Sequence, residues 1–136
     1  RAVAFAAIGT RQGLGAVFEA NIGSSRTLVS GREAMQRVLA ELPEVDAIVC
    51  SSDLLALGVL TEAKARGLSV PGRVSIMGFG DVPFLADMVP ALSTVRINGA
   101  EIGRRAARFL IDRAEGREVE QRVVDVGFSI VERDTT

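Results

Sequence analysis

Strand-like and helix-like segments alternate along nearly the whole of this chain. Runs rich in valine and isoleucine predict strands at 2–8, 27–29, 47–50, 74–77 and 93–97, and a last pair of extended runs at 123–126 and 128–131. Between them, apolar residues recur at the helical period, which predicts helices at 12–20, 31–42, 54–66 and 99–113. Because parallel strands need long crossover connections, this alternation predicts an α/β fold: an open, mostly parallel sheet with helices on both faces.

The size and charge of the chain narrow the classes of protein to which it could belong. Its 136 residues, 48% of them hydrophobic, suit about one domain with a buried core. The 16 basic and 17 acidic residues give a net charge of −1, which argues against direct binding of nucleic acid through its phosphates. With a single cysteine and no histidine, neither an internal disulfide nor a structural zinc site is expected, and a metal site or cofactor is not predicted.

The first residues bear on where the protein works. The apolar run 2–8 has no basic region before it and no cleavage site after it, and no run reaches the ~20 residues of a membrane span. We therefore expect a soluble, cytoplasmic protein that does not contact the membrane. A chain that begins inside a strand also resembles part of something longer.

The segment Gly78-Phe79-Gly80-Asp81 follows the predicted strand 74–77 and resembles the start of a nucleotide-binding loop. A dinucleotide fingerprint needs a third glycine, but Pro83 occupies that position, so a plain turn is favoured over a phosphate loop. Ligands in open α/β sheets bind beyond the carboxyl ends of the strands. The segments 50–53 and 78–81 should therefore be neighbours at one edge of the sheet.

The residues of these two segments give little support for an enzyme. Without histidine no Ser/His/Asp triad is possible, and Cys50 is best interpreted as a small buried hydrophobe. Asp53 and Asp81 could form a carboxylate pair, but Asp53 is more simply a cap of the helix 54–66. By the same reasoning, Ser30 is predicted to cap the helix 31–42.

Two helices have unusual surfaces. The arginines at 104, 105 and 108 lie opposite the apolar face of the helix 99–113, which favours a solvated face over a nucleic-acid site. The helix 54–66 is apolar in nearly every direction over its first two turns. Either another helix of this chain or a second subunit must cover its outer side, and the sequence leaves both open.

Three segments together resemble a known family. They are DAIVCSSDLLALGVLTEAKARGLSVPGRVSIMGFGD (46–81), PALSTVRINGAEIGRRAA (90–107) and VGFSIVERDTT (126–136). They resemble the effector-binding core of the LacI/GalR family of bacterial transcription repressors. The resemblance implies a helix-turn-helix upstream, a core of two subdomains with the effector between them, and a non-enzymatic function. On this basis 1–93 and 119–136 belong to the C-terminal subdomain, and 94–118 cross a hinge into the N-terminal one.

The family's effector contacts carry over only in part. Its Asn-Asp or Ser-Asp pair is matched by Ser52-Asp53, and its frequent Gly-Phe-Asp-Asp becomes Gly78-Phe79-Gly80-Asp81, without the first aspartate. Arg11 lies one position after that of the family's arginine. The resemblance implies this effector set: Arg11, Ser52, Asp53, Phe79, Gly80 and Asp81.

The missing aspartate guides the choice of effector. A cleft with one acid fewer repels an anionic ligand less, so we expect a sugar acid such as gluconate, with Arg11 as its charge partner. GFGD with LSTVRI also resembles the gluconate-repressor branch. Alternatives are a sugar-binding transport protein of the same fold and a nucleotide-dependent enzyme.

The resemblance also implies a homodimer, a hinge, and contact with operator DNA only through a domain that this chain lacks. The hinge is expected at Thr94, Val95, Arg96, Ile97, Asn98 and Gly99, and the dimer interface at Leu54, Leu55, Leu57, Gly58, Phe84 and Met88.

Overall fold

The computed structural model describes residues 15, 17–23, 26–118 and 123–136. The predicted strand 2–8 and Arg11 lie outside these residues, and the described part of the predicted helix 12–20 forms no regular element. Three α-helices and four strands follow: α1 (Leu28–Glu41), β1 (Ala47–Val49), α2 (Asp53–Ala65), β2 (Ser75–Gly80), β3 (Ser93–Ile97), α3 (Gly99–Ala114) and β4 (Phe128–Val131). A 3-10 helix, Pro83–Ala86, lies between β2 and β3.

The four strands form one open sheet in the order β1-β2-β3-β4. β1, β2 and β3 are parallel, and β4 is antiparallel to β3. The prediction of an open, mostly parallel sheet with helices is confirmed. The core lies on the face that carries Ile48 and Ile76, where both α1 and α2 contribute side chains to it, and the covering of the opposite face stays a prediction.

α1 and α2 cross so closely that only glycine fits at the crossing point. A Cβ atom on Gly31 would lie 2.3 Å from the Leu55 carbonyl oxygen, and one on Gly58 would lie 2.2 Å from the Leu28 carbonyl oxygen. α1 thus covers much of the all-round apolar surface of α2. The expectation that Leu55 and Gly58 reach a second subunit is wrong, because both residues are buried within this chain.

The start of α1 differs from the sequence prediction. The run 27–29 was expected as a strand, yet Thr27 is the N-cap of α1, and Leu28 and Val29 are helical. The Thr27 hydroxyl accepts the Ser30 N–H at 3.0 Å, so Ser30 is the recipient of a cap and not a cap itself. A short β-branched run was outweighed by this capping bond and by burial of the helix.

The C-terminal part of the chain also departs from the prediction in one place. The residues 123–126 form no strand, whereas β4 is where the second extended run was expected. Beyond β4, the buried Thr135 hydroxyl donates to the Ile76 carbonyl oxygen at 2.7 Å and accepts the Ser93 N–H at 2.9 Å. The C-terminal tail therefore ties β2 to the start of β3.

α3 differs from the other two helices, since it buries none of its residues. Its arginines are exposed and pair within the helix, Arg104 and Arg105 with Glu101, and Arg108 with Asp112. This agrees with the prediction of a solvated basic face. The opposite, apolar face of α3 is exposed as well, at Ile102 and Leu110.

Candidate functional site

The segments 51–53 and 78–82, after β1 and at the end of β2, lie together, and residues 94–96 of β3, which the sequence did not place there, lie beside them. Asp53, at the first position of α2, joins the three segments. One of its carboxylate oxygens accepts the Thr94 hydroxyl at 2.6 Å, and the other accepts the Val82 N–H at 3.0 Å. Asp53 is only 3% exposed, and Thr94 is fully buried. Asp53 is therefore a structural link inside this edge of the sheet.

Ser52 takes the capping role that the sequence assigned to Asp53. It is the N-cap residue of α2, and its hydroxyl accepts the Leu55 N–H at 3.4 Å. The carboxylate of Asp53 points instead towards β2 and β3, because Thr94 and the 81–82 turn offer it two donors there. Ser52 is half-buried and Ser51 is exposed, so both can still be reached by a ligand.

The two glycines of the Gly78-Phe79-Gly80 segment make room for this carboxylate. The segment belongs to β2 rather than to a turn after it, because the strand runs on to Gly80. A Cβ atom on Gly78 would lie 2.3 Å from one Asp53 carboxylate oxygen, and one on Gly80 would lie 3.0 Å from the other. Gly80 also has a φ of 138°, in the region that favours glycine. The motif therefore accommodates an aspartate, which removes the main support for a phosphate loop.

Asp81 lies immediately after β2 and is held by two arginines. Its φ of 63° is positive, which is uncommon for a residue other than glycine. Arg133 donates to one carboxylate oxygen at 2.7 Å, and Arg96 donates to the other at 2.5 Å. Burial acts to raise the pKa of Asp81, but the hydrogen bonds from Arg133 and Arg96 outweigh it, so this pKa lies below its ordinary value. Asp81 is thus ionised, and each of its carboxylate oxygens accepts a hydrogen bond from an arginine.

Sequence reasoning missed Arg133 and assigned Arg96 only to the hinge. The Arg133 side chain is 14% exposed and is also fixed by its bond to the Leu92 carbonyl oxygen at 2.7 Å. It lies 52 positions from Asp81, in a polar tail with no periodic pattern, so nothing in the sequence pointed to the contact. The Arg96 side chain is 54% exposed, which makes it the accessible one of the two arginines that bind Asp81.

The predicted hinge residues fall within regular structure. Thr94, Val95, Arg96 and Ile97 belong to β3, while Asn98 caps α3 and Gly99 begins it. The Asn98 side chain accepts the Glu101 N–H at 3.0 Å. A hinge at 94–99 stays a prediction.

A second, mostly apolar space borders the site. An open cavity of about 1040 Å³ lies between α1, β1 and the segment 17–22, and Ser51 and Phe79 line its edge. Its other lining residues include Phe18, Met35 and Val38. Such a surface suits apolar groups, so the polar edge around 78–82 is the better place for a polyol.

The remaining candidate chemistry is weak. Burial, followed by the charge of Asp53, raises the pKa of the Cys50 thiol to about 12, so the reactive thiolate is scarce at neutral pH. In the described part of the chain, no three His, Cys, Asp or Glu side chains are grouped to hold a metal ion. Nor does any helix within the described ranges have the length and apolar character needed to cross a membrane.

Comparisons with known proteins show the family of the chain. A family described as periplasmic binding protein-like domain matches residues 1–136. The HTH-type transcriptional regulator GntR of Pseudomonas aeruginosa is 40% identical over 106 residues, which cover 78% of this chain and 31% of the relative. The chain belongs to the periplasmic-binding-protein-like family, in its LacI/GalR branch.

Solved structures of LacI/GalR members support the fold. The transcription regulator GntR from Chromobacterium violaceum matches with a TM-score of 0.73 and 35% identity, over 82% of this chain and 41% of that one. A LacI family regulator from Arthrobacter, solved with lactose, matches with a TM-score of 0.76 and 29% identity, over 97% and 49%. This LacI/GalR chain therefore spans about half the length of these structures and about a third of the P. aeruginosa relative.

Proposed function

We propose that this chain is the effector-binding region of a LacI-type transcription regulator and that its effector is a small sugar acid of the gluconate class. The observation that carries the proposal is the edge formed by 51–53, 78–82 and 94–96, which combines the exposed Ser51 and half-buried Ser52, an accessible arginine and a glycine at position 80. The similarity to a regulator named GntR, and to a LacI family regulator solved with lactose, supports a sugar-like ligand.

The electrostatics of this edge favour an acid over a neutral sugar. Position 80 contributes no carboxylate, and both oxygens of Asp81 are bonded to arginines. Asp53 is buried and bonded to Thr94 and Val82. An anionic ligand therefore meets no exposed, unpaired carboxylate among these residues. Arg11, outside the described residues, stays the predicted charge partner from the other side.

Binding of this effector would shift the population of two orientations of the subdomains. In the proposed division, the chain crosses towards the N-terminal subdomain over 94–118: residues 94–97 still belong to β3 of this sheet, and α3 belongs to the N-terminal subdomain. The segment 94–99 then transmits the change to a DNA-binding domain. The shift can be only as large as the difference in effector affinity between the two states. The exposed apolar face of α3 is consistent with cover by that subdomain.

Calorimetric titration of the full-length protein with gluconate, other sugar acids and the corresponding neutral sugars tests the proposal. We expect saturable binding of at least one acid and weaker binding of its neutral counterpart. If only neutral sugars bind, the proposal of an acidic effector is refuted. If none of these compounds binds, the proposal of a sugar-like effector is refuted altogether.

A homodimer is the second part of the proposal. The exposed apolar side chains around the start of α2 and the 3-10 helix, Leu54 (45% exposed) and Phe84 (51%), lie with the half-buried Leu57 and Met88 on a surface suited to a symmetric contact. Leu54→Asp should give a monomer by light scattering of the full-length protein, because it places a charge on this surface. Val29→Asp, at an exposed position of α1 (62%), is the matched control and should leave the dimer intact.

A further inference from the structure

Arg96 lies beside the open space that Gly80 leaves on the sheet. In the register of β2 and β3, Gly78 is opposite Thr94 and Gly80 is opposite Arg96. Because side chains alternate along strands, these four positions share one face. The contacts of Asp53 with Thr94 and its closeness to Gly78 identify this face as the one that carries the start of α2.

The Asp53 carboxylate fills the space at Gly78 and borders the space at Gly80 on one side. Asp53 occupies the room above Gly78, which is buried. Gly80 is exposed, and among the described residues other than its neighbours at 79 and 81, only the Asp53 carboxylate lies within 4 Å of the Cβ position that it lacks. A ligand group can therefore approach the backbone at Gly80, directly beside Arg96.

Arg96 is oriented by a carboxylate, and its side chain is still accessible to a ligand. Its Nε donates to Asp81, which Arg133 fixes on the other side, and its side chain is still 54% exposed. Asp81 is the only described residue whose acceptor atoms bond the Arg96 guanidinium. An arginine oriented by one carboxylate can use its remaining N–H groups to bind a second one.

The local charges leave this guanidinium available to an anion. Two arginines share the single Asp81 carboxylate, so these three side chains carry one positive charge in excess. Asp53 offsets part of that charge, but it is buried and forms no ion pair with either arginine. The accessible group at the surface is therefore cationic.

We propose that Arg96 binds the carboxylate of the effector over Gly80 and is the residue that selects an acid over a neutral sugar. This inference rests on the proposed function, since it names the group that would read the charge of that ligand. It assigns Arg96 a binding role distinct from the hinge role that the family resemblance implied.

The test compares gluconate with its neutral amide, gluconamide, by calorimetric titration of the full-length protein. For Arg96→Gln, we expect gluconate to bind about tenfold or more weakly, while gluconamide binding changes little, because a charge-assisted pair is lost only with the acid. Arg96→Lys should retain part of the preference for gluconate. Arg105→Gln is the matched control, since Arg105 is 45% exposed and also pairs through its Nε with a carboxylate, but lies on α3.

The outcomes separate this inference from the proposed function. Equal loss of both ligands in Arg96→Gln would indicate a merely structural residue and overturn the inference. An unchanged preference for gluconate in that variant would also overturn it, with the proposed effector intact. Equal affinities for the two ligands in the unsubstituted protein would refute both the preference for an acid and the selective role of Arg96. If neither ligand binds, the proposed effector class itself is refuted.

Discussion

α2 and α3 are similar in length, yet only α2 is packed against the rest of the chain. α2 packs between α1 and β2, with Val59 and Leu60 each 2% exposed. α3 buries no residue and leaves Leu110 71% exposed, and the neighbouring β4 exposes Phe128 by 73%. Apolar surface of this kind marks a contact with something else. The comparison indicates that α1, α2 and β1–β3 share one packed unit, whereas α3 and Phe128 of β4 leave apolar surface uncovered in this chain.

The ion pairs of the two helices differ in the same way. Glu62 of α2 accepts bonds from Arg32 and Gln36 of α1 as well as from Arg66, so it joins two helices. Among the described residues, the ion-pair partners of Glu101 of α3 are Arg104 and Arg105, one turn away on its own helix. Pairs of the second kind stabilise a helix but do not fix its position.

Hydrogen exchange gives the largest expected contrast between the two helices. In this chain alone, the amides of α2 should open with a free energy close to that of global unfolding, while those of α3 should open locally. The exchange rates should then differ by a factor on the order of a thousand for a domain of ordinary stability. Mass spectrometry of the exchanged chain measures this. In the full-length protein α3 should become protected, and equal protection of both helices in this chain alone would contradict the comparison.

A matched pair of glycine substitutions gives the next largest effect. Gly58→Ala in α2 puts a Cβ atom against the backbone of α1, 2.2 Å from the Leu28 oxygen, which cannot move without separating the helices. We expect a loss of about 3 kcal/mol in the free energy of unfolding. Gly103→Ala in α3 meets nothing within 4 Å and should stabilise α3 itself by about 0.5–1 kcal/mol, with little change in the global free energy of unfolding because α3 opens locally. Urea unfolding of this chain measures the free energy of unfolding of each variant. Similar effects at both positions would show that the helix crossing is not tight.

Asp53→Asn should destabilise the site edge by about 2 kcal/mol. Both oxygens of Asp53 accept from donors, so the amide NH₂ of asparagine must face either the Thr94 hydroxyl or the Val82 N–H. Asp112→Asn on α3 is the control, because the pairs that Asp112 forms with Arg108 and Arg117 join partly exposed side chains. It should cost clearly less stability than Asp53→Asn. If the two variants unfold at the same urea concentration, Asp53 is not the link that its contacts indicate.

The sequence predicted features that depend on nearby residues and missed those that depend on distant ones. β3 was predicted with its observed bounds, and α2 to within one residue at each end, because Ser52 and Gly67 mark its ends locally. The Asp81–Arg133 contact was beyond prediction, since it depends on a fold that brings distant residues together. Gly78 was interpreted as part of a turn, because the carboxylate that requires a glycine there comes from another strand end. Local signals predicted most of the described elements, though not the start of α1, and only tertiary contacts explain the site.

The smallest expected effect is the dependence of stability on pH, which again distinguishes α2 from α3. Hydrogen bonds from Arg66, then Gln36 and Arg32, lower the pKa of Glu62 from 4.5 to about 2 in the folded chain. A lowered folded-state pKa contributes stability that is complete above pH 4.5 and is lost as the pH falls towards 2. Glu62→Gln should therefore lower the melting temperature near pH 6 and flatten its decline between these pH values.

Glu101→Gln provides the comparison for that pH profile. The hydrogen bond from Arg105 lowers the pKa of Glu101 too, but this group lies on α3 and its pairs close within one helix. Because local opening of α3 does not require the rest of the chain to unfold, the global melting temperature should respond less to Glu101 than to Glu62 at every pH. An equal response of the two variants would mean that α3 unfolds together with the packed unit, and the division of the chain into two regions would then be wrong.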